Sequence, residues 1–428
     1  MAHPSPVTTA AVPADDLDLS RIQRRTLRLL ACTQVIGGVG VAIGIAVGAL
    51  LAARVGGTGF SGLGQSALVV GAALLAVPVT RLMRARGRRP GLVVAYLTGA
   101  TGAALILVAA QRHSLVLLLV GLFLFGGGNA ANYQARYAAV DLAPPARRGR
   151  QLSLVVWATT IGAVAGPNLA PVADSMVRPY GLVKYSGAFV VSVAAFLLAA
   201  VTLGLLLRPD PLLLARTATG RPQASTRSGG MRAAFAEVRA VPAARLGVAS
   251  VAVGHAVMIG VMSMTPVHID QAGHGDTLRI VGIVLSVHIA GMYAFSPVTG
   301  FLTDRIGRRP VILGGVGLLV AACAVAGTAG HDTVRLTLGL TLLGMGWSGT
   351  MVAGSTLLSE SVGVPNRPSV QGLSDLVMGL AGASAGALGG IVVAWSGYST
   401  LALAAAITTV PLVALAMRSV APVREGTS

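Results

Sequence analysis

The stretch Gly300-Phe-Leu-Thr-Asp-Arg-Ile-Gly-Arg-Arg-Pro310 has a degenerate copy in Thr80-Arg-Leu-Met-Arg-Ala-Arg-Gly-Arg-Arg-Pro90. The displacement that carries Gly87 onto Gly307 also carries Gln151 onto Gln371, Gly162 onto Gly382 and Gly166 onto Gly386. A single Gly match means little in a chain with 56 Gly, but a common displacement across connections and helices marks two copies of one unit. The copies run in parallel orientation.

Working outward, the chain of 428 residues is 54% hydrophobic and only 11% charged, with a mean hydropathy of +0.77. Apolar runs of about 20 residues, enough to cross a bilayer core, recur about twelve times, from 28-53 through to 398-417. The expected fold is therefore an all-α membrane protein of twelve transmembrane helices in two six-helix pseudo-symmetric bundles. The expected organisation is a tail at 1-27, a bundle at 28-207, an Arg-rich linker at 208-242, a second bundle at 243-417 and a tail at 418-428.

The net charge of +18 does not point to nucleic acid, because the arginines sit in alternate connections without interleaved aromatics. Arg81 to Arg89, Arg147 to Arg150, Arg305 to Arg309 and the 208-242 segment carry most of them. By the positive-inside rule these connections and both termini face the cytoplasm. The polar start, with Asp15, Asp16 and Asp18 ahead of Arg21, offers no cleavable signal core, so the first span is expected to stay as an anchor in a bacterial cytoplasmic membrane. Cys32 and Cys323, the only cysteines, read as small buried hydrophobes. The chain has no P-loop, His-Glu-x-x-His or Gly-x-Ser-x-Gly element, which argues against an enzyme.

Soft metal ligands recur at helical spacing in the second half. Met258 and Met262 share a helix face, as do His288 and Met292, and His255 falls within about 60° of the first pair. Thioether sulfur with imidazole nitrogen suits Cu(I), while a Met stripe alone is ordinary packing. An imidazole within a span needs a partner and marks a pathway or site by default. Gln34, Asn129, Asn132 and Arg136 are candidates to line a cavity from the first half, with the alternative that Arg136 pairs with Asp141. The segment His268 to Asp276 reads as a loop with His268, Asp270, His274 and Asp276, a capturing set or an ordinary solvated stretch. Asp375, Glu360 and Asp141 are the acids best placed to exchange protons.

The signature at Gly300 to Arg309 and the doubled six-helix pattern resemble the major facilitator superfamily. The resemblance implies that Asp304 caps the helix beginning near Gln151, next to Arg308, on the cytoplasmic side. The first copy replaces the expected acid with Arg84, which is expected to pair with Asp375 as a gate. The family's antiporter patterns survive only in part, as in Gly162 to Asn168, which lowers the expectation of proton-driven drug export. The Met-x3-Met and His-x3-Met pair resembles the CcoA-type copper importers. It implies copper uptake by alternating access in a monomer that carries no resident cofactor. The alternative is a small organic solute, as in a drug exporter or a riboflavin-like vitamin carrier. Against that alternative stands the low aromatic content, 4%.

Overall fold

The computed structural model describes residues 14-56, 61-183, 185-218, 230-271 and 277-418. Apolar residues without strand-like alternation, in a solvent that offers no hydrogen bonds, leave the helix as the way to satisfy the backbone within one segment. The first half contains α1 (Ala14–Gly56), α2 (Ser61–Arg86), α3 (Arg88–Gln111), α4 (Leu115–Ala138), α5 (Arg148–Val177) and α6 (Gly187–Leu206). Two short helices follow, α7 (Pro211–Ala218) and α8 (Met231–Ala240). The second half contains α9 (Pro242–Gln271), α10 (Thr277–Tyr293), α11 (Ser296–Ile306), α12 (Arg308–Gly327), α13 (Thr333–Ser361), α14 (Arg367–Ile407) and α15 (Val410–Met417).

Ten stretches among the described residues are long and apolar enough to cross a membrane, and an eleventh is bent by 41° within α5 and the turn after it. The tenth, Arg367–Met417, is 51 residues long, about 75 Å as a helix and more than two core thicknesses. It is broken at Gly397, whose φ of 79° only glycine adopts freely, so it supplies two crossings. The total is the twelve of the expected fold. The eighth crossing is likewise interrupted, between α10 and α11, where Pro297 opens the second piece.

Each half has its own apolar core. One is built on residues such as Leu30, Tyr96, Phe125 and Phe196, the other on Met258, Leu319, Leu343 and Trp347. Thr80 of α2 meets Gly372 of α14, and Gly300 of α11 meets Ser153 of α5, so two crossings related by the internal repeat join the halves.

The Arg-rich connections are shorter than the sequence implied. Arg81, Arg84 and Arg86 belong to the end of α2, and a single residue, Gly87 at φ 95°, turns the chain into α3. Gly307 at φ 96° does the same between α11 and α12. Cys32 is exposed rather than buried, while Cys323 is buried.

Candidate functional site

At the Arg-rich end the two halves are tied by charge. The carboxylate of Asp304 accepts from the backbone N–H groups of Gly149 at 2.9 Å and Arg150 at 2.8 Å, in the first turn of α5. Those donors have no partner inside the helix, and a carboxylate there also meets the positive end of the helix dipole. Arg308 grips Glu360 with Nε at 2.8 Å and Nη2 at 2.6 Å, and its Nη2 donates across to the Pro145 carbonyl at 2.9 Å. The repeat-related Arg88 grips Asp141 in the same two-pronged way, at 2.7 Å and 3.1 Å, and reaches Gln371 of the other half at 2.7 Å.

Asp375 takes its partners from α4: Arg136 Nη2 at 2.6 Å and Gln134 Nε2 at 2.7 Å, one on each carboxylate oxygen. The expected pairing of Asp375 with Arg84 is replaced by this one, and the alternative Arg136–Asp141 pair is replaced by Arg88–Asp141. The physical reason is reach and burial. Arg84 lies at the end of α2, whose crossing with α14 is made at Thr80 and Gly372, whereas Arg136 is itself buried opposite the buried carboxylate. Leaving either charge alone in such a place is costly, so the two buried charges select each other.

One turn along α4 from this pair, aromatic side chains gather. The Arg136 guanidinium lies 4.6 Å from the centre of the Tyr137 ring and 5.5 Å from that of Tyr133, within cation–π range. Tyr133 packs against the core of the second half, and Asn129 donates to its hydroxyl at 3.4 Å. From the second half, Tyr293 stands edge-on to Trp347 at 5.5 Å. The Trp347 indole N–H donates to His255 Nδ1 at 3.2 Å. An indole N–H can only donate, so neutral His255 carries its proton on Nε2. The boundary between the halves therefore brings together a cation, phenol and indole rings, and a histidine.

The sequence profile of the Major Facilitator Superfamily matches residues 30–281 and 275–428. The chain belongs to the Major Facilitator Superfamily. It is a multi-pass membrane transporter and not an enzyme. Over 394 residues this facilitator is 38% identical to YdeG, an uncharacterised MFS-type transporter of Bacillus subtilis, covering 92% of this chain and 91% of that one. It is 27% identical over 390 residues to the riboflavin transporter RfnT of Brucella anthropi, covering 88% and 91%. Its fold resembles that of FucP, a facilitator solved in the outward conformation, with a TM-score of 0.68, 18% identity, and coverage of 91% and 97%. Copper import finds no support in these comparisons.

The soft ligands lie within the second half of this facilitator, and His288 Nε2 is buried with no hydrogen-bond partner among the described residues. Met258 and Met292 are buried in the apolar core of the second half, and Met262 packs against that core. His288 is fully buried and donates from Nδ1 to the Leu340 carbonyl at 2.7 Å, which turns its ring toward α13. His255 belongs instead to the aromatic boundary. Among the described residues no group of three or more His, Cys, Asp or Glu is arranged to hold a metal.

The first-half candidates divide in the same way. Asn132 accepts from the Tyr96 hydroxyl at 2.8 Å, and Gln34 donates to Thr159 at 2.9 Å, so both face the interior of their own half. Asn129 and Arg136 belong to the boundary. His268 lies within α9, bonded to the Gly330 carbonyl at 2.9 Å and stacked on Tyr398; His274 and Asp276 lie outside the described residues.

The low aromatic content weighed against an organic solute in the sequence. Tyr133, Tyr137, Tyr293 and Trp347 are few, but they converge. Aromatics at positions 133 and 137 of one helix were the available signal, since they share a face with Asn129 and Arg136.

Proposed function

We propose that the protein moves a small planar organic solute by alternating access. The solute is held between the halves by Arg136, Tyr133, Tyr293, Trp347 and His255. The observation that carries this reading is the cluster of rings and one guanidinium at the boundary, where a flat, hydrogen-bonding molecule gains both stacking and a fixed polar contact. The likeness to a riboflavin transporter along most of both chains makes flavin-like compounds the first to test.

In this reading the Arg-rich end faces the cytoplasm, as the positive-inside rule implies, and the ties made by Asp304, Arg308 and Asp375 close that end. Opening would break the ties while the solute contacts replace what is lost. The two bundles, 28-207 and 243-417, would rock about the bound solute.

Uptake of labelled riboflavin and of copper into proteoliposomes holding the purified protein tests it. Saturable flavin uptake, reduced by Tyr293→Ala and Trp347→Ala and indifferent to copper chelators, is the expected result. Copper uptake lost in His288→Ala, with no organic solute carried, would overturn it.

A further inference from the structure

A cavity of about 590 Å³ opens at the Arg-rich end, away from the aromatic boundary. It is lined from the first half by Gln23 and Arg24 of α1 and by Arg147, Arg148 and Gln151 at the start of α5, and from the second half by Arg367 at the start of α14. The charges on its wall are unbalanced. Asp141, which also lines it, is held by both prongs of Arg88, and Arg148 lies 3.7 Å from Glu360. Among the described residues, Arg24, Arg147 and Arg367 have no carboxylate within ion-pair distance.

Arg367 makes the imbalance specific. It is only 6% exposed, and of its guanidinium only Nε is engaged, with the Val362 carbonyl at 3.3 Å. Among the described residues its terminal amino groups find no acceptor. Asp141 and Glu360 act on this guanidinium only from beyond ion-pair distance, so an anion in the cavity beside it would add the direct partner it lacks. Gln23 on the same wall is held by its Nε2, which donates to the Ala139 carbonyl and to Gln151 Oε1, each at 2.6 Å.

We infer that this cavity binds a phosphate-bearing ligand, its oxygens gripped by Arg24, Arg147 and Arg367. Phosphate suits the wall better than a carboxylate. It carries about −1.5 to −2 charge near neutrality and presents three acceptor oxygens to guanidinium forks, where a carboxylate brings one charge and two oxygens. A phosphate group is common to soluble phosphate compounds and to anionic lipid headgroups; a soluble monoester brings the full charge and three oxygens, a lipid diester one charge and two. Because Arg24 and Arg147 belong to one half and Arg367 to the other, the ligand would bridge the halves.

Thermal unfolding of the full chain in neutral detergent, titrated with inorganic phosphate, tests the site, with chloride at equal ionic strength as the control. Saturable stabilisation by phosphate and not by chloride is expected. Arg24→Gln and Arg147→Gln, both at exposed positions, should each weaken the half-saturating concentration about tenfold, the worth of one charge-assisted hydrogen bond. Arg367→Gln should do the same, and if it does not fold the two exposed variants still decide. Phosphatidylglycerol added in phosphatidylcholine nanodiscs separates the sources. If it abolishes the phosphate response, the lipid headgroup is the occupant; if the response persists, a soluble phosphate is. No saturable response, or variants that respond as the wild type does, overturns the inference.

Discussion

Arg136 on α4 and Asp375 on α14 form a buried ion pair between the halves, 2.6 Å from Nη2 to Oδ1, with Gln134 holding the second carboxylate oxygen. Both charges are fixed by the same event, the meeting of two helices from different halves. Each exists at tolerable cost only while the other is present.

This makes the pair a double-mutant test. Arg136→Gln or Asp375→Asn alone should destabilise the protein by about 3–5 kcal/mol, because one buried charge is left alone. The double neutral variant should recover most of that loss, with thermal unfolding in detergent as the readout. Additive losses would mean the two residues do not act as a pair.

Asp304 offers the second test, since it caps α5 from the opposite half. Asp304→Ala should cost about 0.5–2 kcal/mol and, because the cap spans the halves, should shift population toward separation at the Arg-rich end. Spin labels on Arg86 and Ile306, one in each half, would report a longer mean distance. An unchanged distance distribution would show that the cap does not hold that end.

The α2–α14 crossing depends on a missing side chain. A Cβ at Gly372 would overlap the Thr80 hydroxyl and methyl, so Gly372→Ala should force the helices apart at a cost of about 1–3 kcal/mol. Thr80→Ala in the same chain should relieve part of it. Spin labels on Arg86 of α2 and Val377 of α14, both exposed, measure both, and the idea fails if Gly372→Ala leaves that distance unchanged.

Met258 and Met292 test packing against coordination. Met→Leu preserves volume and apolarity and should cost less than about 1.5 kcal/mol at each site. Solute uptake should stay within about twofold of wild type, since a change of that size is well under 1 kcal/mol. A loss of transport with unfolding unchanged would restore a role for the sulfur atoms.

Much of the architecture was readable in one dimension. The repeated Gly-Arg-Arg-Pro and the apolar runs specify two six-span units because bilayer thickness and backbone hydrogen bonding allow few other solutions. Asp304 was also legible, as the acid of a short motif whose partner, a helix N-terminus, is local in kind even though distant in the chain. The partner of Asp375 was not. Arg84 matched it by symmetry of the repeat, yet the first copy is degenerate there, and Arg136 lay on a helix whose rotation no spacing rule supplies.

The soft-ligand stripe shows the same limit from the other side. Helical spacing correctly placed Met258 with Met262 and His288 with Met292 on common faces, but a face is not a direction. The sequence by itself determined the spans, the repeat and the positions of the charges, because these follow from local hydropathy and period. Only the tertiary structure decided which faces meet, turning His288 to the Leu340 carbonyl and Arg136 to Asp375. Which faces meet is settled by the cost of burying each polar group unpaired, and that cost depends on neighbours brought from the other end of the chain.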